Sequence, residues 1–179
     1  RRNREGLEWL DSFFVRCRIA FSLQPIYLQP NLKPVEDELA DIQQCGEQLL
    51  AATGYGQYEV SAFSQRGYKC RHNSNYWSFG DYVGIGAGAH GKISFLDGHI
   101  ERYAKRRQPE EYMSAAPGIF VASTRTLEKA EIVGEFMLNA LRLKEGFELA
   151  RFHERTGLAP TAIAAPLAEA ERRGLLERD

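Results

Sequence analysis

The run Gly84-Ile85-Gly86-Ala87-Gly88-Ala89 puts a residue without a side chain at every second position, directly after a strand-like segment, Asp81 to Ile85. Alone, it satisfies G-x-G-x-x-A, the spacing of a dinucleotide-binding turn. That turn also needs a helix directly after the glycines and an acidic residue on the next strand. Here Lys92-Ile93-Ser94-Phe95-Leu96 and His99-Ile100 flank Asp97-Gly98, a strong hairpin signal. The hairpin takes the place of the helix, so a Rossmann fold is excluded. Repeated Gly and Ala at a strand end let a second backbone or a ligand approach closely. Tight strand packing and ligand contact both remain open.

Just upstream lies His72-Asn73-Ser74-Asn75-Tyr76-Trp77, expected as a compact polar-aromatic loop between a strand at Tyr58–Phe63 and the Asp81–Ile85 strand. A neutral imidazole is a good ligand for iron, copper or zinc, and one suffices as an axial ligand to heme. Two large aromatics four and five residues on could lie against a flat apolar ring. Each would bury roughly 150–250 Å², about 4–6 kcal/mol of gross apolar gain. Arg66, Lys69 and Arg71 precede the loop, and no acidic residue falls between Glu59 and Asp81. Such a local excess of positive charge suits a ligand with carboxylates or phosphates. The alternative from residue types is that Tyr76 and Trp77 are core and His72 is a hydrogen-bonded structural residue.

Three stretches carry a family resemblance. They are Gln57-Tyr58-Glu59-Val60-Ser61-Ala62-Phe63, His72-Asn73-Ser74-Asn75-Tyr76-Trp77, and Gly80-Asp81-Tyr82-Val83-Gly84-Ile85-Gly86-Ala87-Gly88-Ala89-His90. From about Pro30 onward the chain resembles the C-terminal part of the oxygen-independent coproporphyrinogen III oxidase family, a radical-SAM family, and its heme-chaperone-like branch in particular. The H-N-x-x-Y-W element separates that branch from the true oxidases. The resemblance implies heme contacts at His72, Asn73, Tyr76 and Trp77, with His72 the iron ligand. It implies contacts to S-adenosylmethionine at Gly86, Ala89 and His90. It also implies a [4Fe–4S] cluster in the full-length family protein, held by C-x-x-x-C-x-x-C. This chain has Cys17, Cys45 and Cys70, none at that spacing, and such clusters need thiolate ligands. It starts at Arg1 without a Met and is expected to be a fragment, inactive alone as an enzyme.

Composition agrees. The chain of 179 residues, 44% hydrophobic, can build a core, and its net charge of −1 gives no general attraction to nucleic acid or anionic membrane. Three cysteines without framework spacing suit a reducing, cytoplasmic setting. No apolar run approaches the ~20 residues of a membrane span. Expected partners are heme and an acceptor hemoprotein, without nucleic acid and without a membrane span, and a dimer is left open.

The expected fold is α+β: the last αβ units of an incomplete (β/α) barrel, a β-hairpin, then a small winged-helix-like helical domain. Residues 1–32 match poorly and read as a divergent or out-of-frame tract, with an apolar helix face at Leu7, Trp9, Leu10, Phe13 and Phe14 and a strand from Ser22 to Leu28. Residues 33–122 read as the end of the barrel. Pro34 opens a helix whose face carries Val35, Leu39, Ile42, Cys45 and Leu49, and Gly54 closes it. Tyr58–Phe63 follows as a strand, in which Glu59 is expected as a solvated or hydrogen-bonded residue; the alternative is that Glu59 and Ser61 face the barrel interior. His90 is expected to end the strand after the glycine run, as a surface or capping residue or, by the resemblance, lining the S-adenosylmethionine pocket. Arg102 to Arg107 reads as a solvated basic face or a propionate or phosphate contact, and Gln108–Val121 as a linker.

Residues 123–179 are expected to be helical, with helices at Leu127–Leu143, Glu148–Thr156 and from Thr161 or Pro166 to Arg173, punctuated by Gly146, Gly157 and Gly174. Three helices with a tight glycine turn resemble a helix-turn-helix unit. From Arg125 to Asp179, however, nine Lys/Arg stand against ten Asp/Glu, with no basic stripe to hold phosphates. A structural cap is the expectation. The functional expectation is a heme chaperone; the alternatives are coproporphyrinogen III dehydrogenase and, less favoured, a DNA-binding regulatory module.

Overall fold

The computed structural model describes residues 21–22 and 36–177. The elements are β1 (Phe21–Ser22), α1 (Glu36–Ala52), β2 (Gly56–Glu59), β3 (Ala62–Ser64), α2 (Arg71–Trp77), β4 (His90–Ser94) and β5 (Ile100–Lys105). They continue with α3 (Pro109–Ser114), β6 (Val121–Thr126), α4 (Lys129–Ala140), α5 (Leu149–Thr156) and α6 (Thr161–Arg172). Described residues up to Ser74, with Leu143–Glu145, form one compact unit; Asn75–Arg142 and the residues from Gly146 onward form a second. The expected helix face at Leu7–Phe14, nearly all of the Ser22–Leu28 strand, Pro34 and Val35 lie outside the described residues. This mixture of helices and small antiparallel sheets is an α+β fold. No described helix is long and apolar enough to cross a membrane.

In the first unit, α1 ends where Gly54 was expected to close it, and the Thr53 hydroxyl donates back to the Leu50 carbonyl at 2.9 Å. Leu50 faces the core with Tyr55 and Phe63, whereas Ile42 and Cys45 of the expected stripe are exposed. The sheet order is β1-β3-β2, all antiparallel. The expected single strand Tyr58–Phe63 is therefore a hairpin that reverses at Val60-Ser61. The cause is local: the Glu59 carboxylate accepts the Ser61 N–H at 3.2 Å and the Ser61 hydroxyl at 3.1 Å, folding the chain back within two residues. Alternation along a strand cannot reveal such a turn, because it looks the same on both sides of it.

In the second unit, β4, β5 and β6 form an antiparallel sheet in that order. Asp97-Gly98 makes the hairpin expected of it, closed by the Ser94↔Ile100 pair. Helix α4 starts with a reciprocal capping box: the Glu128 side chain accepts an N3 amide, and Glu131 accepts the Glu128 N–H at 3.0 Å. Helix α5 ends at Gly157, whose φ of 69° is the left-handed cap that glycine adopts without strain. Phe136, fully buried, has the rings of Phe79, Phe147 and Phe152 packed edge-on at 5.8, 5.1 and 5.0 Å. Ile100, Leu127, Ile132, Ala140, Ile163 and Leu167 complete this core. The linker expected at Gln108–Val121 contains α3, which starts with Pro109 where a missing N–H does no harm.

Three further expectations change. His72–Trp77 is not a loop but most of α2. Its end is a Schellman-type closure, with Gly80 N–H bonded to Asn75 O at 2.8 Å and Phe79 N–H to Tyr76 O at 3.0 Å. The left-handed residue of that motif is Phe79 (φ 57°), not glycine. That conformation costs about 1–2 kcal/mol, and burying the ring, 1% exposed, offsets it. Asp81–Ile85 is not a strand beyond a single bridge, Tyr82↔Lys92. His90 accordingly begins β4, paired with Ala104, instead of ending a strand.

Candidate functional site

In the first unit, His72 sits near the start of α2 and is exposed; Asn73 is half-buried. Near Asn73 is Tyr58, a buried phenol whose hydroxyl has no hydrogen bond of good geometry among the described residues. Burial raises its pKa and outweighs the Cys70 backbone and Asn73 side chain, which pull it down. Of the three cations before His72, Lys69 is paired with Glu145 at 2.8 Å. Arg66 and Arg71 are exposed and have no carboxylate partner among the described residues.

In the second unit, Tyr76 and Trp77 meet edge to face, centroids 5.0 Å apart. Tyr76 also lies against Tyr82 at 5.0 Å, and the Arg142 guanidinium stands 4.3 Å over the Trp77 ring. The Trp77 indole N–H is buried without a partner among the described residues. Arg102 donates to the Tyr82 hydroxyl through Nη1 and to Glu135 through Nε (3.0 Å) and Nη2 (2.5 Å). Burial, reinforced by the Tyr76 hydroxyl, pushes the Tyr82 phenol up to about 12. Burial alone would lower Arg102, but its bonds to Glu135 more than compensate and raise it. The first member of the basic run is thus an ion-pair residue of the fold.

Gly86 and Ala89 lie on the glycine segment, and His90 follows at the start of β4. That segment forms no ladder because its amides go elsewhere: Gly84 N–H to the Tyr103 hydroxyl at 2.7 Å, Gly86 N–H to the Tyr112 hydroxyl at 3.3 Å. Gly88 N–H bonds Arg106 O at 2.7 Å, and Ala89 O accepts from Lys105 N–H at 2.8 Å. A Cβ on Gly84 would overlap the His90 backbone, whereas one on Gly86 would meet nothing within 4 Å. Close backbone approach thus accounts for Gly84, and open space adjoins Gly86. His90 itself is exposed.

Beside the segment, Lys92 is 1% exposed, with Nζ 2.7 Å from Asp81 Oδ1 and 4.2 Å from the centre of the Phe79 ring. Burial lowers the Lys92 pKa despite Asp81. Burial would raise Asp81, but hydrogen bonds from Lys92 and Ser94 prevail and lower it.

Among the described residues no group of three or more His, Cys, Asp or Glu could hold a metal ion. Cys45 is exposed on α1 and Cys70 precedes α2, each a free thiol. The described cysteines therefore do not fit an iron–sulfur cluster. Sequence reasoning missed Tyr103, Tyr112 and Arg142, whose partners are distant along the chain. The one available signal was Tyr103's place, two residues before Lys105 on the same strand face.

A family model described as the HemN C-terminal domain matches residues 127–179. The heme chaperone HemW of Escherichia coli (strain K12) is 45% identical over 148 residues, 83% of this chain and 38% of its own length. That of Haemophilus influenzae is 42% identical over 137 residues, 76% and 35% respectively. The heme chaperone HemW of Lactococcus lactis is 34% identical over 122 residues, 68% and 31%. The chain thus spans between about 30 and 40% of the length of these curated relatives. No solved structure matches it.

Proposed function

The chain belongs to the HemW-like branch of the HemN family, and on that premise we propose that it binds heme through His72 and serves in passing heme to an acceptor hemoprotein. The observation that carries this is the exposed imidazole of His72 on α2, preceded by two cations, Arg66 and Arg71, without carboxylate partners among the described residues. A neutral imidazole nitrogen supplies the bond to iron, and guanidinium groups suit propionates. Tyr82, itself bonded by Arg102, lies against Tyr76, and Arg142 covers Trp77. These contacts make both rings packed residues of the second unit and not a free stacking platform. A single exposed ligand also suits a carrier, since release must be fast enough for transfer.

Within the same reading, Gly86, Ala89 and His90 contact S-adenosylmethionine, and the open space beside Gly86 supports this. By the family resemblance, residues 33–122 correspond to the end of a radical-SAM-type barrel, although the described strands in this range pair antiparallel. Residues 123–179 are a winged-helix-like cap, a role their balanced charge favours over DNA binding. The setting is the cytoplasm. Hemin titration tests the proposal: the intact protein gives a Soret shift that His72→Ala weakens or abolishes, while His153→Ala leaves it unchanged. Identical spectra for the parent and His72→Ala would overturn His72 as the ligand.

A further inference from the structure

The glycine segment runs beside two phenols, and each phenol oxygen is an acceptor there, not a donor. Gly84 N–H points at Tyr103 Oη (2.7 Å) and Gly86 N–H at Tyr112 Oη (3.3 Å). A phenol that accepts an amide still carries its own O–H. Neither hydroxyl donates to an acceptor among the described residues, so both protons remain for solvent or a ligand. Tyr103 and Lys105 are two apart on β5 and share a face of the sheet. The Lys105 ammonium stands 5.3 Å from the centre of the Tyr103 ring. Arg107 continues the run, its backbone and Cγ within 4 Å of the place a Gly88 Cβ would take.

The four cations of this run divide. Arg102 is paired with Glu135, and Arg106 donates to the Ile119 carbonyl at 3.0 Å. Lys105 and Arg107 have no carboxylate partner among the described residues. Val83 and Ile85, on either side of Gly84, are 69% and 85% exposed. Two O–H donors and two uncompensated cations thus border an apolar, side-chain-poor strip.

We propose that Tyr103, Tyr112, Lys105 and Arg107 form a carboxylate-recognition cluster for a ligand whose apolar body rests on the glycine segment at Val83 and Ile85. The inference rests on the heme-chaperone reading for its choice of ligands. Two carry that chemistry: heme, through a propionate, and S-adenosylmethionine, through its amino-acid carboxylate. Hydrogen bonds from phenol O–H and N⁺–H donors to an anion are charge-assisted, the stronger kind.

The test uses the intact protein and the double variant Lys105→Gln/Arg107→Gln, which leaves both glycine amide bonds in place. Hemin and hemin dimethyl ester form one pair of probes; S-adenosylmethionine and its decarboxylated analogue form the other. The expected result is about tenfold weaker binding of at least one acid, the equivalent of one charge-assisted bond, with its carboxylate-free counterpart unaffected. The acid that responds identifies the source. Tyr103→Phe should weaken the same acid and no other probe. Equal losses for acid and counterpart, no loss for either acid, or no binding of either acid to the unsubstituted protein would overturn the cluster. Failure of His72 as iron ligand shows separately, because it moves the Soret position, whereas this cluster moves affinity at an unchanged Soret maximum.

Discussion

The ring of Tyr103 lies across Gly91, its antiparallel partner on β4, in space that a Cβ on residue 91 would occupy. Gly91→Ala therefore forces the ring aside and strains its bond to Gly84. The expected cost is about 1–3 kcal/mol, the usual range for overpacking. Tyr103→Ala removes the obstacle, so Gly91→Ala should cost far less in that background. Urea denaturation of the four proteins in the double-mutant cycle would show it, and additive effects would contradict the placement of the ring.

Gly84 differs because its obstacle is backbone. A Cβ there overlaps the carbonyl of His90, and no side-chain truncation can relieve it. Gly84→Ala should destabilise at least as much as Gly91→Ala, with no rescue by Tyr103→Ala. Thermal melts of the two alanine variants in the Tyr103→Ala background should separate clearly.

Asp81 gives the protein an acid limit. Its folded pKa is lowered from the ordinary 3.8, burial being outweighed by the bonds from Lys92 and Ser94. A carboxylate with a depressed folded value contributes stability that is fully present above its unfolded pKa and lost as pH falls through the folded one. The loss therefore begins near pH 4 and deepens below it. Asp81→Asn should be less stable at pH 7 and should lose less on acidification from pH 5 to 2, as followed by circular dichroism.

Lys92 should tolerate Lys92→Met much better than Lys92→Ala. The Lys92 side chain is buried with its ammonium over the Phe79 ring, and Asp81 is exposed enough to regain water. The alanine variant leaves a void as well as an unpaired carboxylate, and should fall below the methionine variant by about 2 kcal/mol or more. Equal midpoints in urea would refute this.

At the alkaline end, Tyr82 holds its proton to about 12 against the ordinary 10.0, first because it is buried and then because of Tyr76. A raised folded value means stability present below pH 10 and lost as pH rises toward 12. Tyr76→Phe removes one raising contribution, so the slowest phenol in an ultraviolet titration should ionise at lower pH.

Much of the second unit was legible in the sequence because its signals are local. Asp97-Gly98 marked its hairpin, and Gly146, Gly157 and Gly174 bracketed the helices. What escaped detection depends on partners far along the chain. The glycine run looked like a strand end, but its amides bond to phenols 19 and 26 residues away. The reversal after Glu59 was hidden because its cause is one carboxylate turning back on Ser61. Within the site, the residue types around His72 were plain, yet nothing in the sequence said that Glu145 would neutralise Lys69 or that Arg142 would cover Trp77.

Phe79 holds two properties that no single amino acid combines well: a left-handed backbone, which glycine would relax, and a large ring sealed in the core, which glycine lacks. Phe79→Gly would recover about 1–2 kcal/mol of backbone strain and forfeit the ring's packing, worth about 3–5 kcal/mol. No substitution from the common set improves one demand without worsening the other. The position is a local optimum reached by compromise, and attempts to stabilise this protein should begin elsewhere.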